Sequence, residues 1–336
     1  MGIDKILLDH GSGGKASHSL IAELLIPQFE NPILAALNDG AIFDIEAKRL
    51  AFSTDTYVVD PLFFPGGNIG DLAVNGTVND LAMCGATPLY LSVGLIIEEG
   101  FSTTDLKKIL ETMKQAAAKA HVLIVTGDTK VVPRGVADKI FINTSGVGVI
   151  PEETTISGHN ARPGDKVIIS GTIADHGITV LTQREGMAFE SPIQSDTAPL
   201  NHLVREMMAS SDQIHALRDP TRGGVGTSLN EIAIQSKVGI EIYEEAVPMR
   251  EEVSGVCELL GFDPLYIANE GKLLCFVAPD DAEKVLATMR ANEFGKEASI
   301  IGRVVADSPA KVSMKTPIGG IRIVDMLAGE QLPRIC

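Results

Sequence analysis

The chain has 336 residues, 45% hydrophobic and 21% charged, with a formal net charge of −16. This is the composition of a soluble globular protein with material for two domains, and it excludes a disordered chain. The acidic balance excludes general nucleic-acid binding, which needs basic surface against phosphates, but it permits nucleotides bridged through carboxylate-held metal ions.

In chain order, a glycine-rich start at Gly11-Ser12-Gly13-Gly14-Lys15 is followed by helical apolar spacing at Leu20, Ile21, Leu24 and Leu25. Short strands are expected at 41–45 and 50–53, with Asp39 before the first and Asp55 after the second. Asp71 reads as the N-cap of a helix that runs through Asp80 and closes at Gly85. An apolar, buried strand is expected at 88–97. Ser102 then opens an amphipathic helix to Ala120, with Leu106, Ile109, Leu110 and Met113 on one face. A strand at 122–126 ends in Gly127-Asp128-Thr129-Lys130, and a longer one covers 139–150. The run 151–164, rich in Glu, Thr, Gly and Pro, reads as a linker. Beyond it strands are expected at 166–169, 273–277 and 300–305, and helices at 175–185, 200–211, 251–260 and 281–292. The turn Arg218-Asp219-Pro220-Thr221-Arg222-Gly223-Gly224 leads into a further helix through Ser236. The order of strands and helices is that of an α/β or α+β protein.

No apolar run reaches membrane-spanning length, since Leu89 to Ile97 is short and contains Ser92 and Gly94. Met1 to His10 lacks the basic-then-apolar order of a signal peptide, so a cytoplasmic location is expected. Cys84, Cys257, Cys275 and Cys336 form no CxxC pair, which argues against a structural zinc site or a disulfide framework. The first three lie in apolar or amphipathic segments and read as core thiols. The seven histidines form no metal-like cluster, and His10 reads as structural.

Asp39, Asp55, Asp80 and Asp128 all stand at expected element ends. Magnesium takes hard oxygen ligands and is commonly shared between carboxylates and phosphates, so several such aspartates in one domain suit it. Taken singly, each reads equally as a turn or cap residue. Gly11 to Lys15 is either a flexible terminus or a backbone cradle for phosphates, and its spacing is not that of a Walker A loop. The helix start after Thr221 and Arg222, at Gly223-Gly224-Val225-Gly226, is a second place for an anion. The chain ends Pro333-Arg334-Ile335-Cys336, which places a thiol on a terminal tether. Arg334 favours the thiolate and the terminal carboxylate opposes it. Such a thiol either carries an acyl-type group between sites or is an accidental last residue.

In combination these stretches resemble a known family. Ser53-Thr54-Asp55, Val78-Asn79-Asp80 through Pro88, and Gly127-Asp128-Thr129 resemble the ATP-binding signatures of the aminoimidazole ribonucleotide synthetase-like superfamily. Within it, Asp9-His10-Gly11-Ser12-Gly13-Gly14-Lys15, Asp55 to Pro61, Gly76 to Asp80 and the terminal Pro333-Arg334-Ile335-Cys336 are similar to the HypE hydrogenase-maturation family. The resemblance implies a two-domain α/β (α+β) fold. Residues 1–35 would form the glycine-rich segment and a helix, 36–150 the ATP-binding and dimerisation domain, 151–325 an α+β domain, and 326–336 a flexible tail. The sheet of the first domain would join that of a second copy in a barrel-like homodimer.

The implied activity is ATP-dependent dehydration of an S-carbamoyl group on Cys336 to a thiocyanate, which supplies cyanide ligands to nickel–iron hydrogenase. The implied partners are a HypF-type carbamoyltransferase and the HypC–HypD complex, with no nucleic acid and no membrane. Asp39, Asp55, Asp80 and Asp128 would hold Mg2+ and, with Gly11, Gly13, Gly14, Lys15 and Asn79, the ATP. Removing protons from the carbamoyl nitrogen requires a base. Glu270, in Asn269-Glu270-Gly271-Lys272, is the first choice, with Lys130 or Lys272 assisting proton transfer or phosphate binding. The rivals are a superfamily kinase or selenophosphate synthetase and a non-catalytic nucleotide-binding scaffold. The N-terminal glycine segment lacks the reactive cysteine that a selenophosphate synthetase would carry.

Overall fold

The computed structural model describes residues 5–7, 10, 19–35, 44–46, 49–187, 193–328, 332 and 335. A π-helical turn, Ile21–Leu25, continues into α1 (Ile26–Phe29), and α2 (Pro32–Ala35) follows. The first domain is then built from β1 (Leu50–Tyr57), a short hairpin of β2 (Phe63–Phe64) and β3 (Gly67–Asn68), α3 (Ile69–Met83), β4 (Thr87–Glu98), α4 (Thr103–Ala120), β5 (Leu123–Val132) and β6 (Ile140–Val149). Four strands make one sheet in the order β1-β6-β4-β5. β4 and β5 are parallel, as the α4 crossover between them requires, and the other pairings are antiparallel.

The sequence places α3 at the centre of the molecule. Asn68, and not Asp71, is its N-cap: the Asn68 side chain accepts from Gly70 N–H, while Asp71 accepts from Asn68 N–H. The cap sits one residue before the apolar run begins, and Asp71 serves from the N3 position of a capping box. Gly85, at φ +70°, closes the helix as expected. A helix this apolar all round must be covered all round, and Asp80 is the one residue of α3 that is not buried. Gly76 allows the Tyr57 hydroxyl of β1 to lie against the helix backbone, where a methyl group would collide with it.

The second domain carries β7 (Lys166–Ile169), α5 (Asp175–Arg184), α6 (Asn201–Ser210), β8 (Ile214–Arg218), α7 (Gly224–Ser236), β9 (Gly239–Tyr243), α8 (Glu251–Leu260), β10 (Leu274–Val277), α9 (Ala282–Ala291), β11 (Ser299–Val305), β12 (Lys311–Lys315) and β13 (Ile321–Val324). Seven strands form a mixed sheet in the order β13-β12-β9-β11-β7-β10-β8. Ile178, Val225, Leu229 and Val253, from α5, α7 and α8, pack in one core. Leu203, Met207 and Val285, from α6 and α9, pack in another, and that core also takes Ala82 and Met83 from the end of α3. The domains therefore share core rather than merely touching.

Several expectations change. β1 extends to Tyr57 and β5 to Val132, so Asp55 and Asp128 lie within strands and not beyond their ends. β8, β9, β12 and β13 are additional strands; each is four or five residues long, too short for a strong alternation signal. β4 is not buried throughout, because Ser92, Gly94 and Ile96 face away from the helices. Cys257 and Cys275 are buried thiols, but Cys84 is exposed at the C-cap of α3. Among the described residues, no helix is long and apolar enough to cross a membrane.

Candidate functional site

Asp80 leaves the last turn of α3 towards β1, where the Ser53 hydroxyl donates to its Oδ2 at 2.7 Å. Asp55, two residues further along β1, shares that face, and Arg222 approaches it at 3.8 Å from the turn before α7. Asp219, on the same turn, is buried. Partial burial pushes the Asp80 carboxyl up, the Ser53 hydrogen bond opposes this, and the Asp55 charge adds to it. Burial, then the charge of Asp80, pushes Asp219 up to about 7. Arg218 and Arg222 pull Asp80 back down without cancelling the rise. Carboxylates that raise one another in this way favour a cation between or beside them. Among the described residues no three metal-capable side chains gather tightly enough to enclose an ion by themselves. Asp55 and Asp80 are the residues that would hold a magnesium ion, which keeps waters and shares phosphate oxygens.

Asp128 does not join this group within one chain. In register, Asp55 pairs with Thr144, Thr144 with Val93, and Val93 with Gly127. That is three strand spacings, about 14 Å. Asp128 is the next residue and faces the opposite side of the sheet. It is exposed there, accepting from Thr129 N–H at 2.8 Å, with the Lys130 ammonium 3.7 Å away. Among the described residues no helix lies over this face. It presents Phe52, 71% exposed, beside a layer of hydroxyls and amides in which Ser145 and Asn143 bond Thr54 and Thr56. A cavity of about 190 Å³ at its edge is lined by His10, Phe29, Thr126, Asp128 and Lys130. His10 is buried, and its Nδ1 accepts from Leu7 N–H, as befits a structural residue.

Asn79, the neighbour of Asp80, points the other way, into the junction between the domains. Its Oδ1 accepts from Leu200 N–H at 2.8 Å, and its Nδ2 donates to the carbonyls of Ala198 at 3.0 Å and Glu270 at 3.4 Å. Its amide is thus committed to holding the second domain. Glu270 is buried and clamped along its backbone: Asn79 holds its carbonyl and Asp196 accepts its N–H at 3.0 Å. The Lys272 ammonium bonds Asp196 Oδ2 at 3.0 Å in a nearly enclosed ion pair. Burial opposes the charge on Asp196, but Lys272 and the Glu270 N–H hold its carboxyl below the usual range.

The tail enters this junction. Ile335 is 5% exposed and lies in the first domain's core, and Leu332 packs against the cores of both domains. The Ile335 carbonyl is 2.9 Å from His176 Nε2, and His176 Nδ1 is 2.8 Å from the Ser195 hydroxyl. The expectation of a free tail from 326 onward is therefore corrected at these residues: an apolar side chain so near the end finds a core to enter. Gly11, Gly13, Gly14, Lys15, Asp39 and Cys336 lie outside the described residues. Nothing in the local sequence pattern singles out His176, Ser195 and Asp196. The only signal was polar residues at the start of an otherwise apolar helix and in the run Gln194-Ser195-Asp196-Thr197.

Residues 37–150 match the family model for the N-terminal domain of AIR synthase related proteins, and residues 162–315 match that for the C-terminal domain. The carbamoyl dehydratase HypE of Azotobacter vinelandii is 54% identical over 97% of this chain and 96% of its own length. That of Bradyrhizobium diazoefficiens is 56% identical over 98% and 95%. A crystal structure of the hydrogenase maturation protein HypE in complex with ATP superposes with a TM-score of 0.95 at 52% identity, covering 98% of this chain and 99% of that one. The chain solved in a HypE–HypF complex gives 0.81 at 50% identity, covering 91% and 99%. A thiamine-monophosphate kinase from Stenotrophomonas maltophilia, 19% identical with a TM-score of 0.68 over 88% and 95%, shares the fold. On the strength of both domains and nearly its whole length, this chain belongs to the carbamoyl dehydratase HypE family of hydrogenase maturation proteins.

Proposed function

We propose that this chain is an ATP-dependent dehydratase that carries its substrate on its own C-terminal Cys336. The substrate is the S-carboxamide placed there by a HypF-type carbamoyltransferase. The product is a thiocyanate, whose cyanide passes to iron on the HypC–HypD complex. The observation that carries this reading is the docking of Ile335, the residue before Cys336, against His176 at the junction that also clamps Glu270.

The carboxamide oxygen is a poor leaving group until it is phosphorylated, and magnesium–ATP supplies the phosphoryl group and much of the charge stabilisation. The reaction balances as carboxamide and ATP going to thiocyanate, ADP, phosphate and a proton. The carbon–oxygen bond breaks, the oxygen leaves with phosphate, and both protons leave nitrogen. Asp55 and Asp80 would hold the cation that accompanies the nucleotide, while the buried wall of the junction excludes water. Glu270 accepts a nitrogen proton. Its backbone, fixed by Asn79 and Asp196, sets the line of approach of its carboxylate.

Asp128 and Lys130 reach the nucleotide from a second copy. Their exposed face, three strands from Asp55 and carrying Phe52, suits a partner sheet laid over it in a homodimer. Lys130 then assists phosphate departure, and residues 11–15 cover the phosphates.

The test is mass spectrometry of the C-terminal peptide after incubation with an active HypF-type carbamoyltransferase, carbamoyl phosphate and ATP. The expected result is a carboxamide on Cys336 that becomes a cyano group only with hydrolysable ATP, and no modification in Cys336→Ala. A carboxamide that never dehydrates would leave a carrier without this active site. An unmodified cysteine would return the chain to a nucleotide-binding scaffold.

A further inference from the structure

α5 starts with Asp175-His176-Gly177, and its first turn is bonded to the segment that leads into Glu270. Ala174 N–H donates to Asn269 Oδ1 at 2.8 Å and Gly177 N–H to the Ala268 carbonyl at 3.1 Å. Gly177 has no room for a side chain, because Ile267 and Ala268 already press on the helix there. His176 and Glu270 thus sit on one block and keep a fixed spacing.

The hydrogen bonds of His176 define its tautomer. It is fully buried, and burial holds the ring below the usual histidine range, so it is neutral and carries one proton. A carbonyl only accepts, so the bond to Ile335 requires that proton on Nε2. Nδ1 must then accept from the Ser195 hydroxyl, whose oxygen in turn accepts Thr197 N–H at 3.2 Å. Ser195 is itself fixed by its N–H to the Pro65 carbonyl at 2.9 Å. The Phe64 ring stands edge-on to the imidazole at 5.5 Å. A group so completely determined, whose free end meets the chain terminus, has a task beyond filling the core.

We propose that His176 is a positioning residue: held in its Nε2–H form by Ser195, it seats the C-terminal segment for the dehydration step. The inference rests on the tail-carrier reading above. Its second element is the dipeptide Ser195-Asp196. Ser195 orients the histidine that holds the tail, and Asp196 holds the N–H of the glutamate that takes the proton. One short stretch of chain therefore aligns both the carried group's tether and the base. Among the described residues of the segment, the Ile335 carbonyl is held by one neutral hydrogen bond, and the Ile335 and Leu332 side chains add apolar contact.

The test uses the full chain in two assays. In the first, carbamoyl uptake on Cys336 and ATP-driven conversion to the cyano form are followed separately in single turnover. His176→Ala is expected to keep uptake within about twofold and to slow conversion at least tenfold. His176→Gln, whose side-chain N–H can replace Nε2–H, should recover most of that loss, and Ser195→Ala should fall between. In the second, carboxypeptidase trimming of the terminus should be several-fold faster in His176→Ala and near the starting rate in His176→Gln. Conversion and trimming unchanged in His176→Ala would overturn the proposal, as would a loss that His176→Gln does not rescue in a folded protein. If the unaltered chain takes up carbamoyl and never converts it, the dehydratase reading fails; faster trimming in His176→Ala would still support the hold on the tail, and unchanged trimming would overturn it.

Discussion

The interdomain junction and the open face of the four-stranded sheet lie on opposite sides of the same strands, and they are finished to different degrees. At the junction, Asn79, Asp196, His176 and Lys272 are enclosed and hydrogen-bonded to groups far away in sequence. On the open face, Asp128 and Lys130 are both exposed and meet chiefly each other, beside an exposed Phe52. Folding of one chain completes the first region and only prepares the second. On the proposed reading, the half of the site that must be rigid is built within one molecule, and the half that must admit a nucleotide would be closed by another surface.

The largest effect should come from breaking the junction. Asn79→Ala leaves Leu200 N–H and the Ala198 carbonyl buried without their partner, a loss on the order of 2–4 kcal/mol. Denaturant melts should show it, together with a loosened Glu270 and reduced dehydration. A stability change under about 0.5 kcal/mol would mean that the domains are held elsewhere.

Asp219→Asn should sharpen the contrast from the carboxylate side. The folded-state Asp219 carboxyl is raised to about 7, so its contribution to stability is complete below the ordinary carboxylate range and is lost as pH rises through 7. Asparagine stays neutral, so the variant should match the original chain near pH 4 and exceed it by about 1–3 kcal/mol near pH 8. Melting curves across that range check the sign, and a variant that is less stable at pH 8 would mean the ionised carboxylate is balanced by Arg218.

The smallest change in stability belongs to the open face. Phe52→Asp should leave folding within about 0.5 kcal/mol, since the ring is already in solvent. Sedimentation should nonetheless show loss of self-association and, with it, of ATP turnover. A variant that still associates and turns over ATP would place the dimer contact elsewhere.

Much of the scaffold is legible locally. The helix at 251–260 and the strand at 166–169 fall where apolar spacing puts them, and Asp55 and Asp80 stand out beside their motifs. The junction is not legible in that way. His176 meets a residue 159 positions along the chain, and Asp196 meets one 74 positions along, so no window of sequence contains both partners. Its polar residues look like ordinary surface until the fold encloses them. Asp219 stood in a noticeable turn, but it takes burial in the fold, and then the approach of Asp80, to give it an unusual carboxyl. The terminal motif suggested a loose end, and the apolar character of Ile335, present in the sequence throughout, is what ties it down.

α3 has a consequence of its own. Its adjacent residues Asn79 and Asp80 are separated by about 100° around the axis, so one reaches the second domain and the other the Ser53 hydroxyl on β1. Neither can shift along or around the helix without carrying the other. On the proposed reading, a change in charge at Asp80 would be felt as a mechanical load on the domain joint, and a shear at the joint would alter the grip on the nucleotide. The helix works as a crankshaft, and its nearly complete burial is the bearing that keeps the two motions in phase.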